Sequence, residues 1–260
     1  MKRSAYLTGV ALLALVACSA EGKTGSGSGT GAEVARAAPT VTPGNRAPAE
    51  PLPAPYTLKA LKAALLTSAE LPSRFEIHRT TAAEPSSPAA DAAEVVRPAR
   101  CAGLRNPDLK AKAETIVATA QLHRPSEGLD LHRMSLAAWS EADAKARMAA
   151  LRTALDRCWH IEYENPESNG TSRAGFQAEK APKLGDDTLR YSQRSRTAYL
   201  GFTVVRVQGV IAYVRADTIF GASLPDDRRA ALTPRPEEKL IRAQVAKIER
   251  TLGQGASHAP

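Results

Sequence analysis

The sequence predicts an α+β fold, a single domain built on an antiparallel sheet with helices packed on one face, following a disordered N-terminal linker. Three observations lead there. Apolar alternation recurs in short segments joined by turn residues, most clearly on either side of Gln208-Gly209. Helical spacing governs three other stretches, near the start, middle and end of the domain. The regular strand-helix alternation of a parallel, nucleotide-binding sheet is missing.

The chain has 260 residues and opens with Lys2 and Arg3 ahead of an apolar run from Ala5 to Ala17. A basic start followed by about a dozen apolar residues reads as an export signal, too short to span a bilayer stably. The run ends in Leu15-Val16-Ala17-Cys18. This resembles the lipobox of bacterial lipoproteins, which implies a signal peptide over residues 1–17, cleavage before Cys18 and a lipid on that cysteine. Each buried methylene contributes roughly 0.8 kcal/mol, so the two chains of a diacylglyceryl group would hold the protein durably. The implied location is the outer, extracytoplasmic face of the cell membrane.

Residues 18–56 carry a Gly/Ser/Thr run, Thr24 to Gly31, and then an Ala/Pro stretch ending in Pro51-Leu52-Pro53-Ala54-Pro55. Such a composition buries too little apolar surface to offset its ordering entropy, so it predicts a disordered spacer. Its glycines do not make a phosphate loop, because no strand precedes them and no Gly-Lys-Ser/Thr ending follows.

Residues 57–260 fit one domain. Leu58, Leu61, Leu65 and Leu66 have helical spacing, and Phe75 with Ile77 alternates as in a strand. A loop rich in Ala, Pro and Ser is expected from Thr80 to about Pro98. Strands follow at Thr115 to Leu122 and Leu129 to Ala137, separated by Pro125-Ser126-Glu127-Gly128. Ser140 with Asp143 predicts a capped helix whose inner stripe is Met148, Leu151, Leu155 and Cys158. After a turn at Asn169-Gly170, strands are predicted at Leu189 to Arg194, Ala198 to Val207 and Val210 to Asp217. A last helix begins near Pro234, Pro236, Glu237 and Glu238, carries the stripe Ile241, Val245, Ile248 and Leu252, and is predicted to stop at Gly253.

With Cys18 lipidated, Cys101 and Cys158 remain, an even pair in an oxidising compartment and most simply a disulfide. Closing a loop of that length is worth roughly 4 kcal/mol in the chain-entropy model. A metal site using His160 is the rival, but zinc sites show close ligand pairs and neither cysteine has one.

The formal charge is +8 with the excess spread along the chain, and no dense basic run interleaved with aromatics suggests nucleic acid. The histidines at 78, 123, 132, 160 and 258 are scattered, with no His-Glu-x-x-His spacing. The nucleophile elbow, the Ser-x-x-Lys pair and cofactor-binding loops are likewise missing, so no catalytic, metal or cofactor residues are expected. Asp186-Asp187, after Gly185, reads as a turn entering a strand.

The segments Leu61-Lys62-Ala63-Ala64-Leu65-Leu66-Thr67-Ser68-Ala69-Glu70-Leu71-Pro72, Cys101, Cys158-Trp159, Leu184-Gly185-Asp186-Asp187 and Val204-Val205-Arg206-Val207-Gln208-Gly209-Val210 resemble sensor-domain lipoproteins of actinobacteria. These are similar to the extracellular domain of PknH-like mycobacterial serine/threonine kinases. The resemblance implies an α+β fold with an open cleft, disulfide bracing and a small ligand. The chain differs from that ectodomain in offering one disulfide pair instead of two and no kinase domain, so a partner would have to relay any signal.

A two-residue turn at Gln208-Gly209 sets the faces of the hairpin. Val205, Val207, Val210, Ala212 and Val214 share the core side, while Phe202, Val204, Arg206, Ile211, Tyr213 and Arg215 share the other. Phe202, Arg206, Tyr213 and Arg215 suit an acidic or sugar-like ligand; equally, the face could simply be exposed or covered by a helix, the arginine stems lying over apolar neighbours. The functional expectation is a non-catalytic envelope lipoprotein that binds a small ligand, wall polymer or envelope protein. The alternatives are an envelope hydrolase with a site assembled from distant residues, and a structural lipoprotein that binds wall polymer.

Overall fold

A computed structural model of the chain describes residues 56–83, 95–112, 114–124, 131–165, 170–219 and 234–256. Cys18, the signal and spacer segments ahead of Tyr56, the Pro125–Gly128 turn, Asn169 and His258 lie outside them.

Thr57 caps the first helix, α1 (Leu58–Ala64), its hydroxyl accepting the Ala60 N–H at 3.1 Å. The helix ends before Leu65 and Leu66, but both leucines stay buried beside Leu61. After a short 3-10 turn at Ser68–Glu70 the chain enters β1 (Glu76–Ala83). β2 (Val95–Arg97) leads into a 3-10 turn at Ala99–Cys101 and two short helices, α2 (Ala102–Arg105) and α3 (Pro107–Lys112). The expected loop from Thr80 to Pro98 therefore gives up both its ends to strands.

β3 (Val117–His123) and β4 (Leu131–Ala138) precede α4 (Glu141–Arg157). Ser140 caps that helix by accepting the Asp143 N–H at 3.1 Å, and Met148 and Leu151 lie on its buried stripe with Cys158 closing it. β5 (His160–Asn165) and β6 (Gly170–Glu179) come next, then β7 (Asp187–Ser195), β8 (Ala198–Val207) and β9 (Val210–Ile219). The Gln208-Gly209 hairpin forms as expected, with Val207 opposite Val210 and Gln208 in the left-handed region at φ 52°. α5 (Glu238–Ala256) continues through Gly253. A glycine ends a helix where it turns left-handed, and among the described glycines only Gly185 has a positive φ.

Among the described residues nine strands form one antiparallel sheet in the order β1-β3-β4-β9-β8-β7-β6-β5-β2. Its edges are blunted by the exposed polar side chains and register shift of β1 and by the three-residue length of β2.

The α+β class and the antiparallel sheet match the sequence reading, but the helices divide between both faces instead of sharing one. On β9, Val210, Ala212 and Val214 meet a core shared with α1 and α5, while Ile211 and Tyr213 meet a second core shared with α2, α3 and α4. In the first, the α5 stripe of Ile241, Val245, Ile248 and Leu252 is buried as its spacing predicts. Burying each such side chain contributes about 1.5–3 kcal/mol. Gln244 on the same helix is also buried, and satisfies both amide atoms by accepting the Leu66 N–H at 3.1 Å and donating to the Ala64 carbonyl at 2.6 Å. It thereby satisfies the Ala64 carbonyl that α1 leaves open at its end and the Leu66 amide just past it.

The second core contains the bridge. Cys101 and Cys158 are joined, with their α-carbons 5.9 Å apart, so the turn before α2 is tied to the end of α4. No thiolate is left there for a metal.

Candidate ligand-binding site

The strand register puts Phe202 opposite Arg215, Val204 opposite Tyr213 and Arg206 opposite Ile211, so the four residues singled out in the sequence do share a face. That face is covered by α2, α3 and α4. Phe202 is buried and stacked on Tyr191, ring centroids 4.7 Å apart. Arg206 is buried and donates to Asp186 Oδ2 at 3.0 Å and to the Gln208 carbonyl at 3.1 Å. Arg215 holds Asp217 through both oxygens, at 2.7 and 2.6 Å. Phe202 thus packs in the core shared with those helices, while Arg206 and Arg215 are engaged by Asp186 and Asp217. Tyr213 is the member that reaches a cavity.

The cavity, ≈ 120 Å³, opens between α3 and α4. Leu151 and Ala154 on α4 and Tyr213 on β9 supply its apolar wall, and Arg100, Lys110 and Arg147 supply positive charge. These cations come from three segments. Arg100 precedes Cys101 in the 3-10 turn, Lys110 lies on α3 and Arg147 on α4, so the disulfide fixes the distance between two of the walls. The Arg147 guanidinium lies over the indole of Trp139, 4.5 Å from its centroid, and pairs with Glu114. That contact orients the guanidinium. Burial above all, with Asp108 and Glu114 reinforcing it and Arg147 opposing it, holds the Tyr213 phenol well above its usual range, so its hydroxyl stays protonated and able to donate.

On α3, Asp108 accepts from Ser135 Oγ at 3.3 Å and lies 3.4 Å from Arg133. Its other oxygen, Oδ1, is buried with no hydrogen-bond partner. Asp187, read from the sequence as part of a turn, binds Arg152 on α4, and its carboxyl is held below the usual range chiefly by that hydrogen bond. Asp186 closes the neighbouring hairpin. Both carboxylates are thus committed to structure. Among the described residues no group of three or more His, Cys, Asp or Glu side chains is placed to hold a metal, and no helix is long and apolar enough to cross a membrane.

Sequence reasoning could find Tyr213 from hairpin alternation. It had no signal for Arg100, Lys110 and Arg147, whose spacing follows no single period.

No family model matches this sequence, and no curated protein matches it. Among solved structures the chain is similar to the extracellular domain of PknH from Mycobacterium tuberculosis, with 16% identity, 76% of this chain and 97% of that one covered and a TM-score of 0.49. It is also similar to an uncharacterized protein of Mycobacterium smegmatis, the Rv0999 ortholog, with 15% identity, 73% and 96% covered and a TM-score of 0.38.

Proposed function

We propose that this protein is a non-catalytic, lipid-anchored protein of the cell envelope, and that its α+β domain binds a small acidic ligand between α3 and α4. The carrying observation is the meeting of Arg100, Lys110 and Arg147 around one cavity that Tyr213 also lines. Arg100 and Lys110, beside an Arg147 already paired with Glu114, suit a carboxylate or phosphate, since charge-assisted hydrogen bonds from arginine are among the strongest available to a binding site. At ≈ 120 Å³ the space takes the charged head of a ligand and leaves the remainder outside.

The anchor rests on Leu15-Val16-Ala17-Cys18, and the extracytoplasmic location on that motif together with the closed Cys101–Cys158 bridge, because disulfides persist in oxidising compartments.

Calorimetric titration with citrate and with inorganic phosphate tests the ligand class. Saturable binding that weakens about tenfold in Lys110→Gln and in Arg100→Gln is expected, a loss of about 1.4 kcal/mol for each cation removed. Absence of saturable binding by either anion would remove the acidic-ligand reading. Turnover of an ester or peptide substrate, abolished by one substitution, would replace the non-catalytic reading with a hydrolase. For the anchor, Cys18→Ser should leave the protein without acyl label and free of the membrane fraction.

A further inference from the structure

The far end of the sheet offers a second, separate surface. Ile161, Tyr163, Ala174, Phe176 and Tyr191 turn toward the core beneath α4, so strand alternation turns His160, Glu162, Arg173, Gly175 and Arg194 to the opposite side. The core that α1 and α5 build on that side includes no residue of β5, β6 or β7. A groove of ≈ 560 Å³ lies there, and Trp159 stands at its margin.

Trp159 is 75% exposed, whereas Trp139 is only 5% exposed. An indole held in water is a large apolar surface left unused by folding, and its mounting is rigid. It follows the bridged Cys158 directly, its carbonyl accepts the Phe176 N–H at 2.9 Å, and its ring lies 3.8 Å from that of His160. Around it the groove is lined by Arg173, Arg194 and Arg196 against one carboxylate, Glu162, which Arg173 holds at 2.8 Å.

We infer that this groove binds an acidic polysaccharide, with the Trp159 ring stacked on one sugar and Arg194 and Arg196 receiving the carboxylates of its neighbours. The chemistry selects that class. A sugar ring has an apolar C–H face that matches a flat indole, and guanidinium groups recognise carboxylates in paired hydrogen bonds. Single-stranded nucleic acid would call for several aromatics along a basic track. Here one exposed indole serves a groove rimmed by arginine. On the envelope location proposed above, on which this step rests, the domain would meet such polymers in the surrounding wall. The inference does not depend on the cavity between α3 and α4, since the two surfaces share no residue.

The test is titration of the full chain in detergent with polygalacturonate, followed by calorimetry for every variant and by tryptophan emission where Trp159 is kept, with dextran, polyphosphate, oligo-dT and anionic phosphatidylglycerol vesicles alongside. Polygalacturonate should shift Trp159 emission to the blue and bind saturably. Trp159→Ala and the double variant Arg194→Gln/Arg196→Gln should each weaken binding about tenfold or more, while Trp159→Phe keeps most of it. The exposed positions of these side chains predict unchanged melting temperatures, which serves as the folding control. Equal binding of dextran would remove the role of charge. Equal binding of polyphosphate or oligo-dT, indifferent to Trp159→Ala, would reduce the surface to nonspecific attraction. Binding to vesicles with none to polygalacturonate would assign it to the membrane instead, and any of these three results overturns the inference.

Discussion

Arg206 donates from Nη1 to Asp186 Oδ2 at 3.0 Å, and the same oxygen accepts the Gln208 backbone N–H at 2.6 Å. Two sequence segments that resemble a sensor family, Leu184 to Asp187 and Val204 to Val210, therefore clamp one another. Gly185 makes the approach possible: it sits at φ 53°, and a Cβ there would come within 2.5 Å of the Arg206 carbonyl. Asp186→Ala should cost about 1.5–3 kcal/mol, the range for hydrogen bonds to a charged group. Urea denaturation should show a lower midpoint with unchanged slope.

Gln244→Leu keeps the volume roughly constant but strands the Leu66 N–H and the Ala64 carbonyl inside the first core. A loss of about 1–3 kcal/mol for each stranded group is expected. Hydrogen exchange at Leu66, which that side chain protects, should accelerate out of proportion to the global loss.

Thiol titration of the denatured mature chain without reductant should read near zero at Cys101 and Cys158. Reduction should then destabilise the domain by about 2–5 kcal/mol, visible as a lower Tm. Binding of phosphate should weaken in the reduced protein as well, because the bridge joins the turn carrying Arg100 to the helix carrying Arg147.

Glu70 ties the first 3-10 turn to α5. Its carboxylate accepts from Lys247 and from the Thr67 N–H at 2.9 Å, and these contacts, the Lys247 bond first, lower its pKa from 4.5 to about 2. A carboxyl depressed in the folded state adds stability above its unfolded pKa and loses it as pH falls. The contribution should therefore be complete above pH 4.5 and vanish on approach to about pH 2. Tm measured across that window should fall less steeply in Glu70→Gln than in the parent, and a parallel pair of profiles would show the contact to be idle.

Much of the fold was legible because backbone conformation sets side-chain direction locally. The stripe Met148, Leu151 and Cys158, the stripe Ile241 to Leu252, and the two faces of the Gln208-Gly209 hairpin all follow from periods of 3.6 and 2. β5 was legible too in principle, since His160-Ile161-Glu162-Tyr163-Glu164 alternates strictly, with Ile161 and Tyr163 buried. α2 and α3 were not, at four and six residues long, too short to repeat a period.

By itself the sequence determined that Phe202, Arg206, Tyr213 and Arg215 share a face, and that Cys101 and Cys158 are the pair available to bridge. Only the tertiary structure decided that α2, α3 and α4 cover that face, that Arg206 and Arg215 spend their charge on Asp186 and Asp217, and that Arg100, Lys110 and Arg147 converge beside Tyr213. The reason is one of range. Which way a side chain points is settled by its own φ and ψ, whereas what covers it depends on segments distant in the chain, whose arrival is governed by the burial of apolar stripes and leaves no periodic trace at the site itself.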